Sequence, residues 1–297
     1  MAPNLDPKSE SVSTSEGPVL FASTLSVHSD RALDRACMIA KSLDALLLAV
    51  HAVDPGILPE KYVLENVERA RAFLKRELAD TAACDDIDCR IDIPLGKAED
   101  AVIERALALG ARLVVVGTSR DTSLKAALWG TRTEHLLRAA SCPVLLVKRR
   151  PREPYRKIVV ALDLEAASRC ALEFALRTFK EAQFTVLHAS SGSTRIADRD
   201  AAYVVEDVVA ARCIAAGHPL PKAEGGPTVV VLADSPPIAL YDEIVKLDAD
   251  LAVVGTHGRA GMPRLFIGSV AQALSETLPC DVLISRTPSI QDEEQAP

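Results

Sequence analysis

Short apolar runs alternate with longer amphipathic stretches along this chain. The apolar runs are predicted strands near 18–24, 45–52, 87–93, 112–117 and 143–148, and again near 157–163, 183–189, 227–233, 250–255 and 281–286. They are rich in Val, Leu and Ile and show little alternation, as strands covered on both faces do. Helical periodicity fills the gaps. Ala32, Leu33, Ala36, Cys37 and Ala40 fall on one helical face, and Leu64, Val67, Ala70, Phe73 and Leu74 on another. Ser235 followed by Pro236 predicts an N-cap with Pro at the first helical position. Strands alternating with helices imply parallel sheets with right-handed crossovers.

The pattern is written twice. LVVVGT at Leu113–Thr118 matches LAVVGT at Leu251–Thr256, Gly130-Thr131 matches Gly268-Ser269, and Cys142-Pro-Val-Leu-Leu matches Cys280-Asp-Val-Leu-Ile. PVLFAST from Pro18 aligns with KIVVALD from Lys157. The expected organisation is a disordered start at 1–16, one domain at 17–150, a second at 151–287 and a disordered tail at 288–297. Between the halves, Lys148 to Lys157 is basic and holds two prolines, which reads as a solvated linker.

Composition supports such a fold. The chain has 297 residues, 48% of them apolar and only 4% aromatic, enough for two ordinary domains. A net charge of −7 weighs against a nucleic-acid partner. No apolar run approaches the roughly 18 residues of a membrane span, so no membrane partner is expected. Seven cysteines are odd in number and scattered, so the expectation is a reduced, cytoplasmic protein with free thiols. Cys84 and Cys89 lack a second ligand pair at finger spacing, and no metal site is assigned.

The stretch with the most chemistry is Gly255-Thr-His-Gly258, followed by Gly268-Ser269. It lies between the apolar run Leu251–Val254 and a predicted helix start. Glycines let backbone amides approach an anion, and a helix N-terminus adds unpaired N–H donors and a favourable dipole. Simple turn chemistry would also place glycines there. Asp163 ends the first strand of the same half, so both features can line one crevice beyond the strand C-termini.

The spacing G-x2-G-x9-G-[S/T] after an apolar strand resembles the universal stress protein family. The duplication resembles its tandem form from about Pro18 to Arg286. The resemblance implies an α/β fold of two tandem flavodoxin-like, doubly wound domains. Each would be a five-stranded parallel sheet of order 3-2-1-4-5 with helices on both faces. It also implies ATP or another adenine nucleotide as ligand, with Mg2+ accompanying it. Carried over by position, Asp163 would approach the adenosine, and Ala189 would contact adenine through its backbone. Val254 would line the pocket, and Gly255 and Gly258 would let the loop wrap the ribose and phosphates. Gly268, Ser269 and Val270 would hold phosphate. Arg259 and Arg264 are candidates to neutralise it, although either could face solvent, and Arg259 is taken into the site. His257 reads as an exposed loop residue.

Ala271 stands where a hydroxyl often sits, and Asp234 aligns with Gly96, which implies an altered loop there. In the first half, Arg120 replaces the second glycine, Thr24 replaces Asp163, and Trp129 replaces the smaller Ile267. That copy is expected not to bind ATP in the family's manner. His51 and His188 end the second strands of both copies, which favours a structural role over a catalytic one.

No G-x-x-x-x-G-K-[ST] loop, G-x-S-x-G elbow or HExxH motif occurs, so no catalytic residue is assigned. The leading expectation is an adenine-nucleotide-binding stress-response or signalling protein. Bound nucleotide would order the Gly255–Ser269 loop and change a surface read by a protein partner of unknown identity. A nucleotide-independent scaffold and a slow ATPase are the alternatives. A homodimer is expected, and the fifth strands, Pro143–Lys148 and Asp281–Arg286, could pair between the two domains.

Overall fold

A computed structural model describes residues 17–118, 131–189, 195–256 and 268–286. In the first half the strands are β1 (Val19–Ala22), β2 (Leu47–Val50), β3 (Cys89–Asp92), β4 (Leu113–Gly117) and β5 (Val144–Val147). In the second half they are β6 (Lys157–Ala161), β7 (Gln183–Ala189), β8 (Thr228–Leu232), β9 (Leu251–Thr256) and β10 (Asp281–Arg286). The helices between them are α1 (Val27–Ser42), α2 (Glu60–Asp80), α3 (Ala98–Ala108), α4 (Thr131–Ala139), α5 (Ala166–Thr178), α6 (Arg195–Ala216), α7 (Pro236–Lys246) and α8 (Ser269–Thr277).

Each half has the order 3-2-1-4-5, yet the two do not form separate sheets. They join into one ten-stranded sheet, β3-β2-β1-β4-β5-β10-β9-β6-β7-β8. Every neighbouring pair is parallel except β5 with β10, which run antiparallel with Leu145 opposite Leu283. The fifth strands therefore make an internal junction, as their sequence suggested.

Strand residues divide by parity between two apolar layers. One layer takes in Val19 and Phe21, Leu33 and Cys37 of α1, Leu172 of α5 and Val209 of α6. The layer on the other face takes in Leu20, Val102 of α3, Leu137 of α4, Ile244 of α7 and Leu274 of α8. Both layers run through both halves. Ser235 occupies the N-cap position of α7, with Pro236 in the first turn, but its side chain makes no capping hydrogen bond.

Three expectations need correction. In α2 the inward stripe is Val63, Ala70 and Leu74, while Leu64 is 57% exposed. Leu64 is one residue, about 100° of helix, beyond the stripe that Val63 occupies. Secondly, Cys37 and Cys84 are joined as a disulfide with a Cα–Cα distance of 5.1 Å. Cys37 lies on the inner face of α1, and Cys84 ends the 3-10 turn Ala82–Cys84 folded against it. The pairing removes the free-thiol argument for a reduced, cytoplasmic protein and takes Cys84 out of any pairing with Cys89.

Thirdly, the linker is not solvated along its length. Lys148 and Tyr155 are buried. The Lys148 ammonium donates to the carbonyls of Ser275 and Leu278 near the C-terminal end of α8, at 2.6 and 2.8 Å, where the helix dipole favours a cation. Asp281, 1% exposed, accepts from the backbone N–H of Lys148 and Arg149 at 2.8 and 3.0 Å and from the Tyr155 hydroxyl at 2.7 Å. Arg35 lies over the Tyr155 ring, 3.7 Å from its centre, and 3.8 Å from Asp281. Burial pushes the Lys148 ammonium down to about 8, although Cys280, Asp281 and Glu276 pull it upward.

Candidate functional site

The C-terminal ends of β6, β7 and β9 and the start of α8 build the second half's candidate site. Beyond β6 the chain turns sharply, with Leu164 in the left-handed region at φ 67°. A branched-at-γ residue tolerates that conformation only where neighbours hold it. Here Asp163 does so: its Oδ1 accepts from the Ser168 hydroxyl at 2.6 Å and from the Glu165 N–H at 3.1 Å. The Asp163 N–H in turn donates to Ser168 Oγ at 3.3 Å. Ser168 is buried in the first turn of α5.

His188, near the end of β7, braces the same turn. Its Nδ1 is 2.7 Å from the Leu162 carbonyl, which can only accept, so the proton resides on Nδ1. That is the structural role expected of it. Ala189 closes β7, paired with Leu232. Val254 is buried in β9, between Ala161 and Ile284.

Gly255 has a reason beyond any ligand. A Cβ there would lie 2.2 Å from the Ser168 backbone N and 2.5 Å from its Cα. Only glycine lets β9 run against the start of α5. Gly255, Ser168 and Asp163 thus form one connected unit, with the carboxylate at its outer end.

Gly268 is the N-cap of α8, with open space where a Cβ would be and no side-chain cap. Its carbonyl accepts from Gln272 N–H at 2.9 Å, so the amides of Ser269, Val270 and Ala271 precede the helical bonding pattern. The Ser269 side chain is exposed and Val270 is half-buried. Ala271 is buried in the core beneath α8. Gly258, Arg259, His257 and Arg264 lie outside the described residues.

The first half keeps this frame and loses its charge. Thr24 N–H donates to Ser29 Oγ at 2.9 Å, the two hydroxyls are 2.8 Å apart, and Leu25 has φ 52°. His51 Nδ1 donates to the Ser23 carbonyl at 2.9 Å. Ser29 stands to Thr24 as Ser168 stands to Asp163, five residues on in each copy. The serine pair escaped the sequence reading, and its recurrence at matching places in the repeat is the signal that finds it. Arg120, Trp129 and Gly130 lie outside the described residues. Gly96 adopts φ 136°, whereas its counterpart Asp234 is not among the described residues with positive φ and instead accepts from Ser235 N–H at 2.6 Å. The loop is altered there, as expected.

The profile described as "Universal stress protein family" matches residues 17–148 and again 154–286. The chain belongs to the universal stress protein family. It carries the family's domain twice. A universal stress protein of Mycobacterium tuberculosis (strain H37Rv) is 29% identical over 194 residues. That match spans 59% of this chain and 59% of the relative, so the likeness covers little more than half of each. Two solved structures share the fold over nearly the whole chain. A universal stress protein from Archaeoglobus fulgidus is 17% identical, with TM-score 0.69, over 92% of this chain and 98% of its own. A putative universal stress protein from Pseudomonas aeruginosa is 21% identical, with TM-score 0.60, over 94% and 97%.

Among the described residues no helix of this universal stress protein is long and apolar enough to cross a membrane. No cluster of three or more His, Cys, Asp or Glu side chains there is arranged to hold a metal ion.

Proposed function

We propose that this universal stress protein binds one adenine nucleotide, ATP with Mg2+, in its second half alone. The first half serves as a structural partner. The observation that carries the reading is the contrast between Asp163 and Thr24 on otherwise matching frames. A carboxylate fixed by Ser168 and Glu165 N–H offers an oriented acceptor for a ribose hydroxyl. Thr24, already engaged with Ser26 and Ser29, offers neither the charge nor the reach.

Within this reading Ala189 and Val254 flank the base, and Gly255 sets the floor through its contact with α5. Gly268, Ser269 and Val270 receive phosphate at the start of α8, where the absence of a side-chain cap suits an incoming anion. Gly258 and Arg259 complete the phosphate loop. Mg2+ would enter with the nucleotide and neutralise part of its phosphate charge, since no group of three or more His, Cys, Asp or Glu among the described residues is arranged to hold a metal ion by itself. Asp163 lies at the adenosine end and is occupied as an acceptor, which suits binding rather than proton abstraction at a phosphate. The bound nucleotide would order the Gly255–Ser269 loop and so change a surface that a protein partner reads.

Calorimetric titration with ATP, ADP and AMP, with and without Mg2+, tests this. One nucleotide per chain is expected. Asp163→Ala should weaken binding by about tenfold or more, as loss of a charge-assisted hydrogen bond does. Thr24→Val should leave it unchanged. Two nucleotides per chain would refute the asymmetry. No heat at millimolar nucleotide would leave the association-module reading standing, and phosphate release abolished by Asp163→Ala would establish the ATPase.

A further inference from the structure

The ten-stranded sheet ends in β3 on one side and β8 on the other, and the two edges differ in chemistry. An edge strand in a parallel sheet turns alternate N–H and C=O groups away from its neighbour, which makes it a template for another strand. Charges on the strand oppose such pairing. β3 carries them: Arg90 is paired with Asp88 at 3.2 Å, and Asp92 is paired with Arg105. β8 reads Thr228-Val-Val-Val-Leu232, and no charged residue occurs from 225 to 233. Among the described residues its backbone is paired with β7 alone.

The strand is also incompletely covered. Val229 and Val230 touch opposite apolar layers, yet every residue from Val229 to Leu232 remains partly accessible, whereas β6 is buried from Ile158 to Ala161. The flanking helices leave Tyr203 and Ile214 of α6 and Ile238 of α7 exposed.

We propose that β8 is the homodimer interface. Two copies of this chain join β8 to β8, antiparallel across a two-fold axis, and extend the sheet from one molecule into the next. A second copy fits better than any other partner for two reasons. An uncharged strand is complementary to itself, and two-fold pairing consumes both β8 edges in a single closed contact. Pairing β8 with β3 would instead build an open filament, which the β3 charges resist. The chain already uses antiparallel edge pairing, since β5 and β10 join its two halves with Val144, Leu145 and Leu146 opposite Ile284, Leu283 and Val282. The inference is independent of nucleotide binding.

Light scattering on the full chain across a concentration series, paired with amide hydrogen exchange, tests the proposal. The expected mass is that of two chains. Exchange of the 228–232 amides should slow as concentration rises. Val231→Lys should halve the mass while keeping the circular dichroism of the wild type, and Arg90→Ala on the other edge should leave the mass unchanged. A single-chain mass at every concentration overturns the proposal. So does a folded Val231→Lys dimer, or a dimer lost through Arg90→Ala. If Val231→Lys does not fold, wild-type exchange decides, and protection at 228–232 that ignores concentration overturns it.

Discussion

Gly255 shows how one residue can satisfy two demands. Read from sequence, it belongs to a glycine loop that wraps a ligand. In the structure its missing side chain also leaves space for the backbone of Ser168. Gly255→Ala would put a methyl group against backbone atoms, which cannot rotate away. The strand or the helix must shift, and the expected destabilisation is about 1–3 kcal/mol, read as a lower urea midpoint. Because Ser168 holds Asp163, the same shift should weaken nucleotide binding. A variant with wild-type stability would show that β9 and α5 separate at little cost. The glycine and the aspartate were legible in the sequence because each recurs or fails to recur at a strand end. Ser168 was not, because a serine in a first helical turn looks like ordinary capping chemistry.

At the scale of elements, strands were legible to within two residues at either end, since an uninterrupted apolar run leaves few alternatives. β7 and β10 coincide with their expected bounds. The segment between the halves was not legible. Its charge and prolines resemble those of solvated linkers, and composition alone cannot reveal a buried partner. That partner is Asp281, at the start of β10, which gathers Lys148, Arg149 and Tyr155 around one carboxylate. The repeat held the clue, because Asp281 stands where the first copy has Pro143. A carboxylate present in one copy only, at the head of an apolar strand, has a local task. Asp281→Ala would leave the Tyr155 hydroxyl and two backbone N–H groups without their acceptor, and Arg35 without its nearby anion. The expected loss is about 3–5 kcal/mol, as for a broken buried pair. Tyr155→Phe removes one hydrogen bond and should cost about 1 kcal/mol. Urea denaturation of both variants checks the ranking. Equal, small losses would mean that the junction rests on β5–β10 pairing alone.

Across the whole molecule the two halves behave as one body, because both apolar layers and the sheet run through the junction. Buried titratable groups of the two halves therefore act on a shared folding equilibrium, and their signs can be combined. Burial raises Cys142 from 9.0 to about 12, and Cys213 and Cys280 from 9.0 to about 11. The unfolded chain releases these protons from about pH 9 upward, while the folded chain retains them, so each thiol makes stability fall as pH rises. Burial raises the Tyr155 phenol as well, with Asp281 adding to it, and the effect has the same sign. Lys148 acts oppositely. Its ammonium is lowered from 10.5 to about 8, so the unfolded chain holds the extra proton between those values and stability gains with pH. From pH 8 to 9 one lysine and three thiols roughly cancel. Above pH 9 the unfolded thiols are mostly ionised and outweigh the lysine. The urea midpoint should stay level from pH 8 to 9, then decline by the equivalent of about 2 kcal/mol by pH 10. Cys280→Ala should make that decline shallower. Lys148→Met should steepen it, because the opposing contribution is gone. A midpoint that rises through pH 10 would show that the thiols ionise readily in the folded chain.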